Sequence, residues 1–411
     1  MMKTVRNRWV IVGAVAVTLV TALNIRADAV TDWNAKANAV IVAAKLPTPP
    51  GNRVMAMVQT AVYETVNAIT KRYPAGQIKL QGTDGASIEA AVAAANRSML
   101  LKLVPSQQEM IEKDYQQALS AIPDGSARAA GIMLGEQATA AVLALRVDDD
   151  LAAADVYRPK TSPGVYIPTN SPLLPQWPQR KPWVMTSPDQ FRPGPPPALN
   201  SEKWARDYNE IKSLGAAKNS KRTEEQTNVA RFWEATGPSL YFPIVRSVTN
   251  QPGREVTQNA RLLAVVGQAM DDAIIAVFDA KYHYNFWRPI TAIRNGDIDG
   301  NDATERDPSW TPFIETPMHP EYPCAHCISA STVAAVLRAE IGTGTVPQLA
   351  TSSVTAGGAT RRWAKIDDFV REVSEARICD GVHFRTSTEV ANDMGEKIGE
   401  LAFKKFPALR R

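Results

Sequence analysis

The chain has few of the residues that most often do chemistry. Its 411 residues include three cysteines and four histidines. Three cysteines exclude a disulfide-dense scaffold and allow one disulfide with a thiol left over. Aromatic residues make up 7%. An excess of one charge is also missing, with 46 Lys and Arg against 42 Asp and Glu, a formal +4. Residues 1–29 hold Lys3, Arg6, Arg8 and Arg26 against Asp28, a net +3, which leaves about +1 (4 − 3) for the rest. That balance argues against a nucleic-acid binder, which usually carries a clustered basic surface. After Leu23 no charge-free apolar run reaches the roughly 20 residues of a transmembrane helix, so no membrane span is expected in the mature chain.

What is present begins at the N-terminus. Lys3, Arg6 and Arg8 precede an apolar run from Trp9 to Leu23, and Ala27-Asp28-Ala29 follows. Basic, apolar, then A-x-A is the pattern of a secretory signal peptide. Residues 1–29 are expected to be removed and the protein exported, periplasmic or secreted. Residues 30–152 read as helices. Gly51–Tyr73 carries an apolar stripe at spacings of three and four. Ser87–Leu103, Ser106–Ile122 and Ser126–Leu145 are rich in helix formers, each opening on a serine suited to an N-cap. Residues 153–200 hold 12 of the 29 prolines. Proline fixes φ and removes a donor, so irregular chain is expected there. The interleaved Tyr157, Tyr166, Trp177 and Trp183 suit packing onto helices. Residues 201–411 return to helix: Ser201–Leu214, Thr223–Ala235, Arg254–Tyr282, Ile328–Ile341, Ala359–Ala376 and Ser387–Lys405. They are expected to form one unit with 30–152, in an all-α, mainly helical fold with long Pro-rich loops. Within Arg254–Tyr282, one of Asp271 and Asp272 is expected to be solvated and the other paired with an arginine.

All four histidines lie in three segments. Lys281 to Pro289 contains His283 and Arg288. Met318 to Cys327 contains His319, His326, Cys324 and Cys327. Arg377 to His383 contains Cys379. A lysine point charge and two arginine forks suit the oxygens of a tetrahedral anion. A backbone amide at a helix start, Ala325 or His326, adds a donor. His326 and His383 can serve as acid, base or nucleophile. His283 reads as an ordinary structural side chain.

These residues resemble the superfamily of vanadium-dependent haloperoxidases and type-2 phosphatidic acid phosphatases, whose motifs are K-x6-R-P, P-S-G-H and S-R-x5-H-x3-D. The first is intact at Lys281 to Arg288-Pro289, the second altered at Pro323-Cys324-Ala325-His326, the third present as Arg377-x5-His383. The resemblance implies a helical-bundle architecture. It implies that Lys281, Arg288 and Arg377, with Cys324 and Ala325, hold vanadate, or phosphate at the same site. His383 would be the ligand of vanadium or a phosphatase nucleophile, and His326 the general acid–base. The implied reaction is halide oxidation by hydrogen peroxide, with Lys281 assisting. Acid phosphatase action on a phosphate monoester is one alternative, and a non-catalytic oxyanion-binding protein is another. His319, seven before His326, matches the bromoperoxidase pattern and implies bromide or iodide in preference to chloride.

Three positions depart from the motifs. Cys324 replaces serine, Ala325 replaces glycine, and Ser387 stands where phosphatases carry the aspartate that orients the nucleophilic histidine. For the cysteines, the expected pairing is a disulfide from Cys379 to Cys324 or Cys327. A zinc site and a Cys324-x-x-Cys327 redox pair are alternatives.

Overall fold

The computed structural model describes residues 28–76, 78–81, 84–149 and 153–406. The signal-peptide expectation falls almost wholly outside them. Asp28 is described, and it caps the first helix, α1 (Ala29–Ala43): its Oδ1 accepts from Thr31 N at 2.8 Å and its Oδ2 from Asn259 at 2.7 Å. A cut after Ala29 would remove that cap.

Four further helices complete the N-terminal half: α2 (Thr48–Thr70), α3 (Ile88–Leu103), α4 (Gln108–Ser120) and α5 (Ser126–Leu145). Ser87 caps α3 as expected. Ser106 and Ser126 do not act as caps: a 3-10 turn precedes α4, and Gly125 is the residue before α5. Then come α6 (Glu202–Leu214), capped by Ser201, and α7 (Glu224–Trp233), which starts with a capping box from Thr223 and Gln226. Next are α8 (Pro238–Thr249), α9 (Val256–Tyr284) and the short α10 (Pro289–Arg294). The C-terminal part contains α11 (Ala325–Ile341), α12 (Ile366–Cys379) and α13 (Arg385–Lys405).

One expectation fails on secondary structure. Residues 359–363 are not helical. Ala359–Trp363 is a strand, β2, paired antiparallel with β1 (Leu349–Ser353) from Leu349↔Trp363 to Ser353↔Ala359. Gly357 and Gly358 both take positive φ, 63° and 84°, and turn the chain back. Thr360 and Trp363 favour the strand.

The helix α9 is the axis. Its 29 residues are buried on nearly every side, and Leu262 to Phe278 almost continuously so. It packs against α2, α11 and α13. The pair α11 and α13 approaches closely because Gly395 has no side chain: a Cβ there would stand 2.4 Å from the carbonyl oxygen of Ile328. This contact fixes the start of α11.

Neither Asp271 nor Asp272 is solvated; both are fully buried on α9. Asp271 pairs with Arg180 at 2.7 Å and accepts from Trp183 Nε1 at 2.8 Å. Asp272 accepts from the amides of Trp183, Val184 and Met185 at 2.6–2.9 Å. The two carboxylates therefore bind the Pro-rich segment to the axis. That segment lacks its own ladder of backbone bonds, so it takes acceptors from side chains. Trp177 and Tyr166 are buried, in keeping with packing onto the helices.

Candidate active site

The three segments meet where α9 ends and α11 begins. Lys281 lies in the last turn of α9 and is fully buried. Its Nζ donates to the carbonyls of Pro320 at 3.0 Å and Glu321 at 2.8 Å, so one of its three N–H groups remains. Burial, and after it Arg288, holds the Lys281 pKa well below the lysine range.

Arg288 precedes Pro289, the first residue of α10. Its Nε donates to His319 O at 2.9 Å and its Nη1 to Val382 O at 2.8 Å. The same Nη1 lies 3.4 Å from His383 Nε2, and Nη2 lies 3.0 Å from His319 Nδ1. A guanidinium only donates. His383 Nε2 therefore presents its lone pair, while His319 Nδ1 lies between this donor and the Pro320 carbonyl at 3.2 Å.

His383 Nδ1 faces Glu321 Oε1 at 2.8 Å. With the Nε2 lone pair fixed by Arg288, Nδ1 carries the proton and Glu321 accepts it. Glu321 also accepts from the amide of Phe384 at 3.1 Å. Burial, opposed by Lys281 and Arg288, raises the Glu321 carboxyl pKa to about 7. Ser387 Oγ is 3.5 Å from His383 Nδ1, too long to orient it well. The orienting carboxylate that Ser387 does not provide is thus supplied by the second segment. Spacing gave no hint of this, since Glu321 lies outside the third motif. Burial, with Arg288, Lys281 and Arg377 nearby, keeps His383 neutral.

Arg377, on α12, is buried and donates through Nη1 to Trp233 O at 3.0 Å and Asp380 Oδ2 at 2.7 Å. Burial raises the Asp380 pKa to about 7 against the pull of Arg377. Asp380 is a second residue that sequence reasoning missed, although three residues after an arginine on a helix is a pairing distance. Lys281, Arg288 and Arg377 against Glu321 and Asp380 leave one positive charge when all are ionised.

At the start of α11, Cys324 is the N-cap. Its sulfur accepts from Cys327 N at 3.2 Å. The amide of Ile328 donates to Cys324 O. The amides of Ala325 and His326, in the first turn, have no intrahelical acceptor and suit an anion. Tyr241 OH donates to His326 O at 3.0 Å and holds this turn. Burial and Arg377 keep the His326 imidazole neutral. Among the described residues of the site, His326 Nε2, Arg377 Nε, Glu321 Oε2 and Asp380 Oδ1 are buried without a hydrogen-bond partner. Buried polar atoms normally have partners, and a tetrahedral oxyanion beside Lys281 and Arg288 supplies one to Arg377. The residues present fit vanadate or phosphate.

His319 is buried, with its ring centroid 5.4 Å from that of Phe278. His283 is exposed, edge-on to Tyr284, and outside the cluster. Arg288 also lines a pocket of about 610 Å³ with Tyr166, Ile290, Phe313, Ile314 and Met318. The expected disulfide is not formed: all three cysteines are free thiols. Cys324 and Cys327 face each other, while Cys379 lies among Glu375, Arg222 and Asp380. Among the described residues no group of three or more His, Cys, Asp and Glu could hold a metal ion, which leaves the zinc alternative without support.

A mainly helical chain that gathers these cations and histidines at helix ends has the architecture of a vanadium haloperoxidase. Residues 261–411 match the family model of the VCPO second helical-bundle domain. The chain is 26% identical over 264 residues to the vanadium chloroperoxidase of Curvularia inaequalis, covering 51% of this chain and 43% of that protein. It thus spans less than half the length of that curated relative. A solved bacterial vanadium-dependent iodoperoxidase superposes with a TM-score of 0.79 at 21% identity, over 95% of this chain and 98% of that one. A bacterial vanadium-dependent chloroperoxidase gives 0.71 at 17% identity, over 87% and 92%. These comparisons support the vanadium haloperoxidase superfamily, with the family match on residues 261–411 and the fold shared along most of the chain.

Proposed function

We propose that this chain is a vanadate-dependent haloperoxidase that oxidises bromide or iodide with hydrogen peroxide. The observation that carries the reading is the buried, unpartnered donor Arg377 Nε, with unpartnered His326 Nε2, in a cluster that also holds Lys281 and Arg288. Bound vanadate supplies a Lewis-acidic centre at which peroxide becomes an oxidant. Lys281, Arg288 and Arg377 hold the oxyanion by charge-assisted hydrogen bonds, with Ala325 N and the Cys324 thiol as further donors. His383 Nε2 would hold the group, its proton kept on Nδ1 by Glu321, once Arg288 Nη1 turns from that lone pair to the oxyanion. His326, neutral and with Nε2 unpartnered, takes a proton from the entering peroxide. The remaining N–H of Lys281 draws negative charge from the reacting oxygen.

The halide preference rests on His319. Its Nδ1 lies 3.0 Å from Arg288 Nη2 and 3.2 Å from the Pro320 carbonyl, so the imidazole is a polar wall. A polar, titratable wall suits the more easily oxidised halides. The basic, apolar, A-x-A start of the sequence supports export to the periplasm or the medium.

A second reading has its own support, the Glu321–His383 contact, which also suits a nucleophilic histidine. In that reading His383 Nε2 attacks the phosphorus of a phosphate monoester and His326 protonates the leaving group. Paired assays separate the readings: monochlorodimedone bromination with vanadate and peroxide, and p-nitrophenyl phosphate hydrolysis. Bromination alone supports the haloperoxidase, hydrolysis alone the phosphatase. Anion binding without either turnover defines a non-catalytic oxyanion-binding protein.

A further inference from the structure

We propose that Cys324 and Cys327 form a peroxide-oxidisable dithiol in the wall of the oxyanion pocket. The two sulfurs lie 2.7 Å apart and share a hydrogen, so little movement is needed to join them. They occupy the N-cap and third positions of the 17-residue α11. There the Cys324 sulfur receives the Cys327 amide at 3.2 Å, and the helix dipole favours negative charge on it. A thiolate is the reactive form of cysteine. Burial pushes the Cys324 pKa up, but the Cys327 hydrogen bond, Arg377 and Lys281 outweigh it and hold the thiol below its ordinary value. Burial and Cys324 push Cys327 the other way. One attacking and one resolving sulfur are thereby distinguished. Both sulfurs are fully buried, so the oxidant has to enter beside the adjacent Ala325 and His326, which are partly exposed.

The chemistry balances with hydrogen peroxide as the oxidant. The Cys324 thiolate attacks one peroxide oxygen, the O–O bond breaks, and hydroxide leaves to become water. Cys324 is then a sulfenic acid. The Cys327 sulfur attacks it, an S–S bond forms, the S–O bond breaks and a second water leaves. Two thiols are oxidised to a disulfide and one peroxide is reduced to two waters. An oxyanion held by Lys281 and Arg377 competes with the Cys324 thiolate for the same cations and covers it. Occupancy of the pocket should therefore protect the dithiol.

The test uses the full chain with Cys379→Ser, which removes the remote thiol. Reduced protein receives one equivalent of hydrogen peroxide, is alkylated after denaturation, and is analysed by peptide mass. Loss of both thiols to an intramolecular Cys324–Cys327 disulfide, reversed by dithiothreitol, is expected. In a Cys327→Ala variant Cys324 should accumulate a sulfenic acid that dimedone traps. Full alkylation of both thiols, or no dimedone adduct, overturns the dithiol. Saturating inorganic phosphate should slow disulfide formation at least about tenfold, from one charge-assisted contact or more. An unchanged rate overturns its place in the pocket. That arm alone rests on the oxyanion reading above. Calorimetry of phosphate on reduced protein tells the two failures apart, because no binding there sinks the oxyanion reading and leaves the thiol analysis to decide the dithiol.

Discussion

Replacing Glu321 tests the inner logic of the site. Its Oε1 accepts two hydrogen bonds, from His383 Nδ1 at 2.8 Å and from Phe384 N at 3.1 Å. The first fixes which nitrogen of His383 keeps its lone pair. In Glu321→Gln the side-chain volume and the acceptor oxygen remain, and only the charge is lost. A charge-assisted hydrogen bond is about twice as strong as a neutral one. Half of about 1.5–3 kcal/mol is about 1 kcal/mol, so vanadate affinity should fall roughly fivefold. In Glu321→Ala the acceptor is gone and His383 is free to rotate or to place its proton on Nε2. Loss of an outer partner of a metal-binding histidine costs about 10- to 100-fold in affinity. The ordering wild type, Gln, Ala is the signature. Calorimetric titration with orthovanadate and with phosphate measures it, and circular dichroism checks the fold. A residue that only fills space would lower the melting temperature of Glu321→Ala and leave vanadate affinity in place. That result would refute the orienting role and with it the tautomer derived for His383.

Other outcomes follow from the same contacts. Arg288→Ala and Arg377→Ala should each weaken vanadate binding by about tenfold or more, from 1.5–3 kcal/mol per charge-assisted bond; unchanged affinity in both, by calorimetry, would remove the cation cluster. His383→Ala should abolish turnover yet retain some phosphate affinity through Lys281 and the arginines, measured by activity and calorimetry in parallel. His319→Ala should alter the pH profile of bromide oxidation more than it alters vanadate affinity. Glu64 gives a pH test away from the site. Burial raises its carboxyl pKa to about 7, so the folded chain holds a proton that the unfolded chain releases near 4.5. Stability is then lost as pH rises from about 4.5 to about 7. Glu64→Gln should raise the melting temperature at pH 8 and leave it nearly unchanged at pH 4.5.

Much of the fold was legible because its determinants are local. The apolar stripe of α2 repeats every three or four residues, α3 is rich in helix formers, and Ser87, Ser201 and Thr223 cap where capping residues should. The failures had non-local causes. Residues 359–363 pair with Leu349–Ser353 across a Gly357-Gly358 turn, and the helical pattern that follows from Ile366 masked the strand. One of Asp271 and Asp272 pairs with an arginine as expected, Asp271 with Arg180, but the other is not in solvent, because the amides of residues 183–185 that hold Asp272 lie about 90 residues away in a segment without periodicity.

The site divides along the same line. Lys281 and Arg288 are tied by a fixed spacing around one helix end, and Arg377 and His383 by another, so sequence alone grouped them as candidates. Glu321 and the cysteine pair needed three dimensions. The segment Met318–Cys327 crosses beneath His383, and only that crossing makes the carboxylate at 321 a partner for a histidine 62 residues later. It also resolves the departure at position 387. A serine there would leave His383 without an orienting acid if the motif were confined to its own segment. Because a neighbouring segment supplies the acid, serine at 387 costs the site little. The same reasoning explains why Cys379 was a poor guess for a disulfide partner. It lies near Arg377 in sequence, but its sulfur lies among Arg222 and Glu375, while Cys327, one helical turn from Cys324, is already in contact.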